Sequence, residues 1–496
     1  MAQLKIALLP SLPAALGWSW VLGAALLLWS GCSLLQPLQQ FSLGDLGHFA
    51  YRRSNGNQGG IVVGVPHGRA EPKAVEYGER ISDAIGAGLV VGYDFNAKRI
   101  PVSQPLVHQS PVGWPAGGAR RGSVYPEFTK LLQETVSGPM QFYVGVRVAD
   151  NRSEVPRIEV AAGGFSFEEL LALKASYRRL RDESLGGWPA VPKVDVAIHP
   201  LDDISWTSYG VRNYGVLLLA ERGLVIRLPQ ALAAGDNFAA YDDVVTAWVR
   251  HALNLAQGRA GTHLPSFVSR QMTYGRIDAI AARKESRGIV LAAPHGSFDW
   301  YTGELVEELS YRTQLPAVIT RGFTPTECGG WRINVNRPTE RRYPTQGVGR
   351  KTERAQAVFD DYSRTVFEVG RGALDLYIER HQSGALGHID VATVGVTSEA
   401  ARAIKNAFRQ IRDRVLQANP GIGKVELLIE PIDAIEIGAW AAKDQGMLKL
   451  AQTSLHFELP AHNIMHHDRT RRIYTAILAE LVDKIVRGGD GLLPLR

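Results

Sequence analysis

The chain alternates short, β-rich apolar runs with amphipathic helical stretches, which is the pattern of an α/β layer fold. Ile289 to Ala293 and Leu374 to Ile378 are apolar enough for strands buried in a sheet. Helices are expected at about Tyr301 to Tyr311, Ser398 to Gln417 and Arg469 to Val486. Ser166 and Glu169 form a capping-box signature at the start of another.

One run breaks the alternation. Ala14 to Trp29 is almost wholly apolar, follows Lys5 and ends in small residues, as an export segment does. Its tail, Leu28-Trp29-Ser30-Gly31-Cys32, looks like a bacterial lipobox, in which Cys32 is lipidated and begins the mature chain. A plain secretory signal or an uncleaved anchor are the alternatives, since roughly 18 apolar residues can span a bilayer. The expectation is an exported, membrane-anchored lipoprotein, periplasmic or at the cell surface. Cys328 is then the one unmodified cysteine, and an intrachain disulfide is excluded.

The apolar pattern also recurs. Ile61-Val-Val-Gly-Val-Pro-His67-Gly matches Ile289-Val-Leu-Ala-Ala-Pro-His295-Gly, and Arg99 to Pro105 matches Arg332 to Pro338. Ile158-Glu-Val-Ala matches Ile389-Asp-Val-Ala, Lys193 to Asp202 matches Lys424 to Asp433, and Leu224 to Pro229 matches Leu455 to Pro460. Blocks repeated in one order indicate a tandem duplication. Copy one runs from about 50 to 256 and copy two from about 284 to 496, with 257–283 as a connector. Each is expected to be a mixed sheet flanked by helices.

With 496 residues, two domains are also what length favours. A net charge of +6, with 45% hydrophobic and 21% charged residues, fits a globular protein with a slight bias toward anionic partners. No Lys/Arg run with interleaved aromatics argues for nucleic acid. No Gly-x-Ser-x-Gly elbow argues for a serine hydrolase.

The chemistry concentrates in copy two. His295-Gly-Ser-Phe-Asp299 puts an imidazole and a carboxylate four residues apart across a strand-to-helix turn, where both can face one ion. A distant histidine completes a three-ligand set and leaves zinc's fourth position for water. His381 is the choice because it follows the strand Leu374 to Ile378 directly; His388 competes for the role. Glu304 competes with Asp299, although Glu304, Glu307 and Glu308 read most simply as a solvated helix face. Glu458, on the same strand face as Ser454 and His456, is a carboxylate in an apolar strand and a candidate base.

These motifs in this order resemble the zinc-peptidase superfamily of N-formylglutamate amidohydrolases, poly-γ-glutamate hydrolases and zinc carboxypeptidases. The resemblance covers nearly all of copy two. It rests on Pro294-His-Gly, Asp299-Trp-Tyr-Thr, Asn334-Val-Asn-Arg-Pro338, His381-Gln-Ser and Phe457-Glu-Leu. It implies that His295, Asp299 and His381 bind zinc, that Glu458 activates water, and that Asn336 and Arg337 hold a substrate carboxylate. Arg332 would either polarise the scissile carbonyl or serve only at the surface. The spacing of the first two ligands favours the amidohydrolase branch over the carboxypeptidases.

Copy one retains His67 and Glu71 at the positions of His295 and Asp299, but Glu458 becomes Arg227 and Asn336-Arg337 becomes Ser103-Gln104. The position of His381 falls at or near Arg147. A guanidinium ~4 Å from a divalent ion repels it by about 8 kcal/mol at an effective dielectric of ~20, so copy one should hold no catalytic zinc. It either braces copy two or presents Arg147 and Arg227 to an anion. The expected function is zinc-dependent hydrolysis of an amide near a free carboxylate, in an N-acyl or γ-glutamyl-type substrate outside the cytoplasm. The alternative is a non-catalytic envelope lipoprotein that binds an anionic ligand or partner.

Overall fold

The structure is a computed structural model that describes residues 37–54, 59–95, 100–105, 123–149, 157–206, 209–259, 267–281, 286–343, 349–487 and 492–493. Cys32 and the apolar leader lie outside the described residues.

Two eight-stranded mixed sheets carry the chain. From edge to edge, the first runs Gln39–Ser42, His48–Arg52, Gly88–Tyr93, Ile61–Val65, Phe142–Val148, Arg222–Leu228, Arg157–Gly163, Asp195–His199. The second runs Phe267–Met272, Gly275–Ile280, Ala317–Gly322, Ile289–Ala293, Leu374–Ser383, Ala451–Pro460, Ile389–Val394, Leu427–Ile429. The two share one order and one sequence of parallel and antiparallel neighbours.

Residues 257–283, expected as a connector, therefore include a hairpin, Phe267–Ile280, that forms the edge of the second sheet. Its counterpart at Gln39–Arg52 extends the first unit ahead of residue 50.

Alternation along each strand feeds a core on either side. In the second sheet Leu291 and Ala293 pack under the helices Thr302–Thr313, Ser398–Gln417 and Asp468–Arg487, while Val290 and Ala292 face Glu353–Gly370. Val63 and Val62 divide the same way in the first sheet. The capping box forms as expected, Ser166 bonding Glu169 in both directions.

The units meet through buried charge. Arg212 of the first binds Glu304 at 2.9 Å and Glu307 at 3.0 Å, and Arg321 binds Glu307 at 2.5 Å and Asp278 at 3.0 Å. Glu304 and Glu307 are thus not on a solvated face; they neutralise two buried arginines. Only Glu308, paired with Arg312, is on the outer side.

One buried cation has no such partner. Arg380, 1% exposed, lies over the Phe457 ring at 3.4 Å, and no described residue accepts a hydrogen bond from its guanidinium. Burial pushes it down to about 9.

Candidate metal centre

The strand Ile289–Ala293 ends in Pro294-His295-Gly296, and the chain turns tightly, Asp299 N donating to His295 O at 2.8 Å, before the helix begins at Thr302. Gly296 is required there, because a Cβ would lie 2.7 Å from the Thr320 carbonyl oxygen. His295 and Asp299 consequently face the same space at the carboxyl end of the strand, where open α/β sheets place their sites.

His381 reaches that space from inside the strand Leu374–Ser383, not from a loop beyond it: the strand continues past Ile378 because it pairs with Ala451–Pro460, His381 opposite Glu458. Period-two alternation then puts Glu379 and His381 on one face, with His456 and Glu458 beside them.

Three donor atoms converge. His381 Nδ1 is 2.9 Å from Asp299 Oδ2 and 3.2 Å from His295 Nδ1, and the latter is 3.4 Å from Asp299 Oδ2. All three residues are buried. Burial, with the Arg332 guanidinium 3.1 Å away, lowers the His295 imidazole to about 3. Burial works the other way on Asp299, but hydrogen bonds from His295 and His381 outweigh it and hold the carboxyl well below its usual range. His381 too is penalised by burial, yet Asp299 and Glu379 on either side raise it to about 10.

Glu379 was not anticipated. It is fully buried and accepts from Tyr377 OH at 3.0 Å, Asn336 Nδ2 at 3.1 Å and His456 Nδ1 at 2.6 Å, with His381 Nε2 at 3.3 Å. His456 Nε2 in turn meets Glu458 Oε1 at 3.1 Å. A second trio, Glu379, His381 and His456, also brings three potential ligand atoms together. Its carboxylate is already engaged, and Glu379 does not line the cleft.

The cleft, about 600 Å³, is lined by His295, Asp299, Arg332, Asn336, Arg337, His381 and Glu458. His388 is elsewhere, paired with Asp390 at 2.9 Å. Glu304 is held in the contact between the units. Asn336 lines the cleft and also reaches behind it, its amide nitrogen donating to Glu379.

The ladders give the corresponding positions in the first sheet. Arg147 pairs with Arg227 as His381 pairs with Glu458, and Gly64 pairs with Gly145 as Ala292 pairs with Glu379. His381 therefore corresponds to Arg147, Glu379 to Gly145 and His456 to Val225. The Arg147 guanidinium binds Glu71 at 3.0 Å, and Val148 N donates to the same carboxylate at 2.9 Å. Burial, and Arg147 next, lowers His67 to about 3. Lys73, Arg147, Arg227 and Trp206 line a cleft of about 1090 Å³ around them.

No protein-family description and no curated protein matches the chain. Solved structures do. A bacteriophage poly-γ-glutamate hydrolase is 13% identical over 43% of this chain and 93% of its own, with a TM-score of 0.26. A metallo-carboxypeptidase from Burkholderia cenocepacia is 14% identical over 47% and 69%, at 0.30, and a carboxypeptidase A from Helicoverpa armigera 12% over 50% and 74%, at 0.32.

Proposed function

We propose that the chain is a zinc-dependent hydrolase of amide bonds, with His295, Asp299 and His381 as the metal-holding residues. The observation that carries this reading is the spacing of the three donor atoms, 2.9 to 3.4 Å apart. Zn–N and Zn–O bonds of ~2.0–2.1 Å in a tetrahedron require donor separations of about 3.3 Å. Two imidazoles and one carboxylate also leave a coordination position for water. Zinc held there would supply a Lewis acid and a water with a pKa of about 7.

The remaining residues do the rest. Glu458, oriented by His456 Nε2, takes a proton from the nucleophile and returns it to the leaving nitrogen. Arg332 donates to the carbonyl oxygen as negative charge develops on it. Arg337, at the cleft wall, pairs with a carboxylate beside the scissile bond. The substrates we expect are N-acyl or γ-glutamyl-type amides, met outside the cytoplasm by a protein anchored through Cys32. We read the two sheets as copies of one ancestral unit, the first having exchanged His381 and Glu458 for arginines. Those arginines favour a second reading, an envelope protein whose first cleft binds an anion.

Metal content separates the two. The mature chain should carry one zinc, and a chelator should stop its hydrolysis of N-acylglutamates and γ-linked peptides. A metal-free chain, or hydrolysis indifferent to chelation, would remove the enzymatic reading.

A further inference from the structure

The loop that carries His295 and Asp299 is fastened by the other unit. Ser297, at its apex, is fully buried, and its backbone carbonyl accepts from Tyr209 OH at 2.6 Å and from Tyr214 OH. Its hydroxyl donates to Asn213 O at 2.9 Å and accepts from Gly322 N at 2.9 Å. The Tyr209 ring also packs on Tyr301, with centroids 4.7 Å apart. Three of the four hydrogen bonds at the apex thus come from one short segment of the first unit.

That segment is itself rigidly held. Arg212 bonds Ala162 O at 2.7 Å as well as Glu304 and Glu307, and Asn213 bonds Glu304 at 2.8 Å. The corresponding segment of the second unit is Trp440–Gln445. The match is set by Val216 N on Ser103 O and Met447 N on Asn336 O, each 3.0 Å. There, Ile437 and Ala439 just ahead of the helix line the unit's own cleft. The counterpart of Ser297 in the first unit is Arg69, which is exposed and paired with Asp94. The contact is therefore not a repeated feature of the fold. It joins the first unit to one loop of the second.

We propose that the first unit positions the metal loop, with Tyr209 and Tyr214 as its positioning residues; this rests on reading His295 and Asp299 as zinc ligands. Residues hydrogen-bonded to metal ligands change metal affinity by about 10–100-fold when removed, and Tyr209 and Tyr214 act one step further back, on the backbone between the two ligands. Removing both hydroxyls leaves the Ser297 carbonyl buried without either tyrosine donor, and the loop shifts to satisfy it. This assigns a task to a unit whose own cleft carries arginines where the ligands would be.

The test uses the full mature chain with Tyr209→Phe, Tyr214→Phe and both together, which keep the rings. Zinc dissociation constants from chelator competition, and the visible spectrum of the cobalt-substituted protein, report the geometry of the site directly. Phe167→Leu is the control, because Phe167 stacks on Tyr311 across the same contact at 4.8 Å but away from the loop. We expect the double variant to bind zinc about 10–100-fold more weakly with an altered cobalt spectrum, while Phe167→Leu loses thermal stability and keeps the wild-type affinity. Equal zinc affinity in wild type and double variant, or equal losses in the double variant and the control, would overturn the positioning role. A wild type that binds no zinc would instead overturn the reading of His295 and Asp299.

Discussion

The two clefts occupy the same end of the same ladder, yet one gathers His381 and Glu458 where the other gathers Arg147 and Arg227. The fold decides where a ligand can sit, and a few side chains decide the sign of its charge. Behind them the difference continues: Glu379 and His456, which brace the second cleft, are Gly145 and Val225 in the first. The positions that differ at the cleft and the positions that differ behind it therefore lie side by side on the same two strands.

The comparison can be broken most severely by making the second cleft resemble the first. His381→Arg places a permanent cation among the proposed metal ligands, and we expect metal analysis of the dialysed variant to find no zinc. Zinc retained at wild-type level would mean that His381 is not a ligand. Glu458→Gln removes only the proposed base, so turnover should fall by about 10²–10⁴-fold while the zinc count stays at wild-type level. Arg337→Ala should raise KM about tenfold or more with little change in kcat, and a substrate lacking the neighbouring carboxylate should be indifferent to it. The smallest effect lies on the opposite face of the strand. Arg380 stands where the first sheet has Val146, and Arg380→Met should raise unfolding stability by about 1 kcal/mol or more in a denaturant titration, since a buried cation without a counter-charge is exchanged for an apolar chain.

Much of this was legible in one dimension. Strand and helix positions followed from periodicity, and His295, Asp299, His381 and Glu458 came from motifs close to strand ends. Glu379 is within reach as well, because it lies two residues before His381 and shares its face once the strand runs on past Ile378. Glu304 and Glu307 were not within reach. Their partner Arg212 is supplied by the other unit, and no local pattern distinguishes an acid that faces water from one that faces a distant arginine. The hairpin Phe267–Ile280 was missed for a related reason: as an edge pair it has weak alternation, and it gains its place only by pairing with Ala317–Gly322.

The fastening of Ser297 has a consequence for how the protein is made. Synthesis runs from the amino end, and domains tend to fold as they emerge. Tyr209, Asn213 and Tyr214 precede Ser297 by more than eighty residues, so wherever the chain emerges amino end first, at the ribosome or beyond a membrane, the surface that receives the loop can be finished before the loop arrives. A chain rearranged to deliver the second unit first would have to form that loop without its seat. The order of the two halves along the gene is then itself part of how the site is built.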